Sequence, residues 1–136
     1  MYEDIRRKRP RGACLFSLHE ELTEAKISLR FAGIEIVRIR RVRPYDRSSA
    51  ALAFHELELE LLDEGDYEVY EAFGFFENTP LLVRFYAYKS RPRVVRYVAI
   101  LSYRSRVLRK IASRLEHLGW RRLFFFEIEA RVSRYR

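Results

Sequence analysis

From residue 81 onward the apolar residues of this chain change period twice. From 81 to 89 they alternate, with Leu81, Val83, Phe85 and Ala87 on one face and Leu82, Arg84, Tyr86 and Tyr88 on the other. Residues 94–103 (VVRYVAILSY) are β-branched and aromatic. From about 104 to 118 the period becomes helical. Val107, Leu108, Ile111, Leu115 and Leu118 form one stripe, with Arg106, Arg109, Lys110 and Arg114 opposite. From 121 to 132 alternation returns: Phe124, Phe126, Ile128, Ala130 and Val132 face one way, Phe125, Glu127, Glu129 and Arg131 the other. A period of two puts neighbours on opposite faces of a strand, whereas a period near 3.6 gathers them on one side of a helix. The spacing therefore predicts strand–helix–strand. Gly119 stands where a helix end needs a residue at ease with positive φ.

Upstream, Asn78-Thr79-Pro80 is a turn signal that joins 81–89 to a strand over 67–76 (YEVYEAFGFF). Ile27, Leu29 and Phe31 alternate with Lys26, Ser28 and Arg30, which reads as a strand, and a further strand follows Ala32-Gly33 over Ile34–Val42. Residues 13–18 read as a strand or as the lead-in to a short helix at 19–25. The stretch 50–62 is compatible with a helix capped by Ser48. Its strict alternation of Leu57, Leu59 and Leu61 with Glu56, Glu58 and Glu60 favours a strand from about 54, closed by a turn at Asp63-Glu64-Gly65-Asp66. Five to seven strands with one or two helices make an α+β domain: a mainly antiparallel sheet with helix packed on one face.

A length of 136 residues suits one compact domain. We place it at 13–136, after a solvated basic arm at 1–12 (MYEDIRRKRPRG). Hydrophobic content of 49% and aromatic content of 15% supply a core and argue against disorder. The longest apolar runs, such as Leu123–Phe126 and Val98–Leu101, are too short to span a bilayer, and charge rather than an apolar run follows Met1. Cys14 is the only cysteine, which excludes an internal disulfide and a cysteine-based zinc site. It reads as a small core hydrophobe. These features suit a reducing cytoplasm and no membrane.

Charge is sorted along the chain. Residues 1–47 hold twelve Lys/Arg and seven acids, residues 48–83 hold nine acids and no Lys or Arg, and residues 84–136 hold fifteen Lys/Arg and three acids. Arginine supplies 23 of the 27 cations. Its guanidinium suits phosphate, or carboxylate on a partner. Asn78 is the only Asn, Gln is absent and Met occurs only at position 1, a composition like that of a hyperthermophile. Ion-pair networks would account for some of the arginine, but not for its lopsided placement.

Three constellations could carry function. The first is basic and aromatic: Arg84, Tyr86 and Tyr88 on one strand face, Lys89, Arg91 and Arg93 in the loop after it, and Tyr97 and Tyr103 on the next strand. Arg106, Arg109, Lys110 and Arg114 on the helix, and the arm Arg6, Arg7, Lys8, Arg9 and Arg11, add further cations. Cations that follow phosphates beside rings that stack on bases hold single-stranded nucleic acid. The competing use of the same residues is packing, with tyrosines covering a half-buried second sheet face and arginines snorkelling over it. The second constellation is Arg38, Arg40, Arg41 and Arg43, a cationic strand expected to pair with the acidic strand Glu56, Glu58, Glu60.

The third is that acidic strand as a metal site. Its carboxylates project to one side about 6–7 Å apart and could hold a divalent cation on a phosphate substrate. Glu58-Leu59-Glu60-Leu61 resembles the Glu-x-Glu-x-Lys strand of the CYTH class of tunnel-type triphosphate hydrolases and cyclases, with Leu62 where that pattern has Lys. The resemblance covers about five residues and implies metal-dependent triphosphate processing. His19, His55 and His117 show no metal spacing, and no phosphate loop or nucleophile elbow occurs. The sequence thus points to a non-enzymatic protein with no cofactor. The leading expectation is binding of single-stranded DNA or RNA, in a thermophilic archaeon or its virus. The alternatives are a homo-oligomer in which acidic 48–83 meets basic 84–136 of another copy, and the metal-dependent enzyme.

Overall fold

The computed structural model describes residues 12–42, 66–102 and 104–127. They form β1 (Gly12–Glu21), α1 (Leu22–Phe31), β2 (Glu35–Val42), β3 (Tyr67–Phe76), β4 (Thr79–Tyr88), β5 (Val94–Ser102), α2 (Ser105–His117) and β6 (Arg121–Glu127). The strands make one antiparallel sheet in the order β2-β3-β4-β5-β1-β6. This is the expected α+β architecture, with β5–α2–β6 as the strand–helix–strand unit. Arg43, Glu56, Glu58, Glu60, residues 63–65 of the expected turn, Tyr103, residues 128–132 and all of the arm except Gly12 lie outside the described residues.

The hairpin between β3 and β4 turns on two residues. Glu77 and Asn78 both have positive φ (47° and 63°), and Phe76 pairs with Thr79 across them. This backbone hand matches the twist of the flanking strands, and Asn tolerates it well. The turn sits one residue earlier than the Asn78-Thr79-Pro80 signal suggests, and Pro80 already belongs to β4.

Both helices end in the same way. In α1, the Gly33 N–H donates to the Arg30 carbonyl and the Ile34 N–H to the Leu29 carbonyl. In α2, the Gly119 N–H donates to the Glu116 carbonyl and the Trp120 N–H to the Leu115 carbonyl. With φ of 98° and 100° at the two glycines, this is the Schellman pattern, and each motif buries its apolar pair, Ile34 with Leu29 and Trp120 with Leu115. A third interaction ties the helices together. Arg114 of α2 donates to the Ala32 carbonyl at 3.0 Å, where the α1 dipole is negative, and its guanidinium lies 5.1 Å from the centre of the Phe76 ring.

The structure overturns the strand reading of residues 26–31. These belong to α1, because Ala25, Leu29 and Ala32 make a buried helical stripe. Ile27 and Phe31, the other members of the apparent alternation, stand in solvent at 45% and 77% exposure. The cationic strand β2 also has a different described neighbour from the one expected. It pairs with β3, placing Arg40 opposite Glu71 and setting Arg41 3.2 Å from Glu68.

Both faces of the central strands β3, β4, β5 and β1 are buried. On the first, Phe16, Leu81, Val83, Phe85, Val98 and Ile100 pack under Leu29 of α1 and Leu108, Ile111 and Leu115 of α2. Cys14 is part of this core, and burial pushes its thiol pKa well up, so it is the inert hydrophobe expected. On the second face, Leu15, Val69, Phe73, Leu82, Tyr86, Tyr97 and Leu101 form another cluster.

The two glycines separate backbone strain from crowding. At Gly119 a Cβ would meet nothing within 4 Å, so Gly119→Ala should cost only the left-handed backbone penalty of about 1–2 kcal/mol. At Gly33 the same Cβ would come within 2.9 Å of the Arg114 guanidinium and 3.0 Å of the Phe76 ring. Urea unfolding should show a larger loss for Gly33→Ala than for Gly119→Ala.

Candidate nucleic-acid interface

Register divides the expected site residues into those inside the protein and those at its surface. On β4, Arg84 and Tyr86 share the second face with Leu82 and Tyr88. Arg84 and Tyr86 are fully buried, and Tyr97 of β5 is 6% exposed. These three are therefore not a stacking surface. Arg84 lies directly opposite Glu71 of β3 and donates from Nε to its carboxylate at 2.9 Å, with both side chains wholly enclosed. A charge removed from water needs a partner, and the cross-strand carboxylate provides one. Of the alternating row on β4, only Tyr88, at the strand end, keeps a partly open ring.

The basic face of α2 is exposed, but much of it is engaged. Arg109 donates through Nε and Nη2 to the two carboxylate oxygens of Glu127 on β6. Lys110 reaches Glu77 of the β3–β4 hairpin at 3.2 Å, and Arg114 caps α1. The alternation on β6 holds as the sequence indicates. Its Phe125 and Glu127 row turns toward the helices, while Phe124 packs on the second face. Arg106, in the first turn of α2, is exposed and has no partner among the described residues.

Two exposed arginines stand at the end of the sheet where β4 passes into β5. This loop is two successive tight turns: the Arg91 N–H donates to the Tyr88 carbonyl, and the Val94 N–H donates to the Arg91 carbonyl. Pro92 lies in the second turn, which suits its fixed φ. Lys89 binds Asp66 at 3.0 Å and donates its backbone N–H to the Asp66 carbonyl. The Arg93 carbonyl accepts the Leu22 N–H at 2.6 Å, tying the loop to the start of α1. The backbone is thus pinned on three sides, while the side chains of Arg91 and Arg93 are exposed with no acid partner among the described residues.

Beside the loop runs a chain of rings. Tyr67 and Tyr88 are a cross-strand pair with centroids 5.6 Å apart, and Tyr97 meets Tyr67 edge-on at 5.8 Å. Arg96 lies 4.5 Å over the Tyr97 ring. Burial pushes the Tyr67 hydroxyl up to about 12, helped by the neighbouring phenols of Tyr97 and Tyr88. At the open end of the chain, the exposed imidazole of His19 on β1 sits 6.0 Å from Tyr88. His19 has no metal spacing to mark it in the sequence. The alternation of Phe16 and Leu18 with Ser17 and His19 already carried the signal that His19 points to the second face.

The acids of the described part of the acidic segment are spoken for. Asp66 pairs with Lys89, Glu68 with Arg41 and Tyr70, Glu71 with Arg84, and Glu77 with Lys110. None is left to meet a basic surface on another copy without giving up an internal contact. Among the described residues no group of His, Cys, Asp and Glu could hold a metal ion, and the candidates Glu56, Glu58 and Glu60 lie outside them.

Two outcomes follow for stability. Glu71→Ala leaves an enclosed guanidinium without its carboxylate and should cost about 3–5 kcal/mol, whereas Glu71→Leu combined with Arg84→Met should recover most of the loss in urea unfolding. Tyr67 ionises at a higher pH in the folded protein than in the unfolded chain, so it draws stability down as pH rises from 10 to about 12. Tyr67→Phe should flatten that part of the stability–pH curve.

Comparison with protein-family models, with curated proteins and with solved structures finds no match to this chain.

Proposed function

We propose that this chain is a non-enzymatic nucleic-acid-binding protein whose phosphate contacts centre on the loop between β4 and β5. The observation that carries the reading is the exposure of Arg91 and Arg93 on a pinned backbone, with no acid partner among the described residues. Fixed cations that need not break an internal pair give up little when they meet a phosphate. Arg106 stands at the opposite end of β5, in the first turn of α2, where the helix dipole reinforces its charge, and is a separate exposed cation. A sequence pI near 9.9 supports long-range attraction to a polyanion. Lys89, Arg109, Lys110 and Arg114 are secondary contributors, because each already has an internal partner.

The setting we propose is the reducing cytoplasm of a thermophilic archaeon or its virus. The composition supports it through its lack of Gln and its lone Asn, and the lone cysteine is buried. Homo-oligomerisation through acidic and basic segments is a less favoured reading, because the described acids of 66–77 are engaged within the chain.

Fluorescence anisotropy with a labelled oligonucleotide tests the reading. Affinity should fall steeply as salt rises from about 50 to about 200 mM, because counterions are released on binding. Combining Arg91→Ala with Arg93→Ala should weaken binding to all sequences alike and reduce the salt slope by about one per arginine. Absence of binding at low salt, or affinity indifferent to salt, would refute it.

A further inference from the structure

We infer that His19 and Tyr88 form a stacking position for a single nucleobase beside the arginine loop, so that the ligand is single-stranded nucleic acid rather than duplex. This rests on the nucleic-acid reading above and adds the chemical class of the ligand and the residues that select it. In a duplex the base faces are already occupied by their neighbours, whereas an unpaired strand can turn a base out onto a protein ring.

Several features suit these two rings to that task. Tyr88 closes the β4 row at the strand end, where it is half-buried while Tyr86 and Tyr97 are enclosed. Its ring is backed by Tyr67 at 5.6 Å, and Tyr67 is backed by Tyr97, with Arg96 over the latter. A ring already held from behind loses little freedom when a base settles on it. His19 arrives from β1 and stands exposed at 6.0 Å, with its plane tilted 57° to that of Tyr88. The tilt lets a base lie flat on one ring and meet the edge of the other. The phosphate-binding groups are covalently close. Lys89 is the next residue, and the hydrogen bond from the Arg91 N–H to the Tyr88 carbonyl holds the loop turned back over this strand end. A nucleotide could therefore place its base on the rings and its phosphate among the loop cations.

Three ligands of equal length separate the contributions: an oligothymidylate, an abasic oligomer with the same number of phosphates, and a duplex. The wild-type protein should bind oligothymidylate about tenfold more tightly than the abasic oligomer, within the range one stacked base supplies. His19→Ala and Tyr88→Ala should each shrink that ratio toward one, leaving abasic affinity and the salt slope unchanged. Tyr88→Trp should preserve it. His19 is exposed, so its truncation keeps the test valid even if Tyr88→Ala fails to fold. Equal wild-type affinity for base-bearing and abasic oligomers, or an unchanged ratio in His19→Ala, would overturn the stacking position while the phosphate reading stands. Failure of the wild type to bind any of the three at low salt would remove the phosphate reading itself.

Discussion

Burial of the central strands on both faces governs nearly everything else in this protein. A strand enclosed above and below has no solvent face on which to put a charge or a polar ring. Whatever polar group its sequence carries must find a partner within the sheet. Arg84 is the clearest consequence: in the middle of β4 it forms a closed pair with Glu71 on the adjacent strand. The same constraint turns Tyr86 and Tyr97 into core residues. Surface chemistry is left to the strand ends, the loops, the outer strands and the outer sides of the helices.

Internal pairing then sorts the remaining cations. Those within reach of an acid are used to join elements: Lys110 holds the β3–β4 hairpin to α2, Arg109 holds β6 to α2, and Arg41 joins β2 to β3. Such exposed pairs are individually weak, about 0–1 kcal/mol, but they dispose of charge that would otherwise repel. Arg114 goes further by satisfying the end of α1. In the loop from Lys89 to Arg93 the backbone is tied down while the Arg91 and Arg93 side chains are exposed with no acid partner among the described residues. The proposed phosphate contacts rest on this rigid support with exposed charge.

The elements with a strong local signal were legible in the sequence. The stripe through Leu108, Ile111 and Leu115 located α2, Gly119 located its end, and the alternation in 67–76 and 81–89 located the central hairpin. Residues 26–31 were misread because Ile27, Leu29 and Phe31 fit a period of two, while the helix is set by Ala25, Leu29 and Ala32. Alanine is a weak hydrophobic marker, so the true stripe was fainter than the false one. The reading of Arg84 and Tyr86 as a solvated face had a similar cause. Phenols and guanidinium groups serve both solvent and core, so alternation alone does not say which. The near-continuous apolar and aromatic run of LLVRFYAY was the better guide, since it is the mark of a strand covered on both sides.

By itself the sequence determined the class of fold, the existence of the β3–β4 hairpin, the position of α2, and the excess of arginine toward the carboxyl end. These depend on periodicity, turn chemistry and composition, all of which act over a few neighbouring residues. Which arginines remain available was decided only by tertiary structure, because that depends on strand register. Register alone sets Glu71 against Arg84 and brings His19 beside Tyr88 from a strand distant in sequence. Pairing is a long-range property, and local pattern carries no record of it.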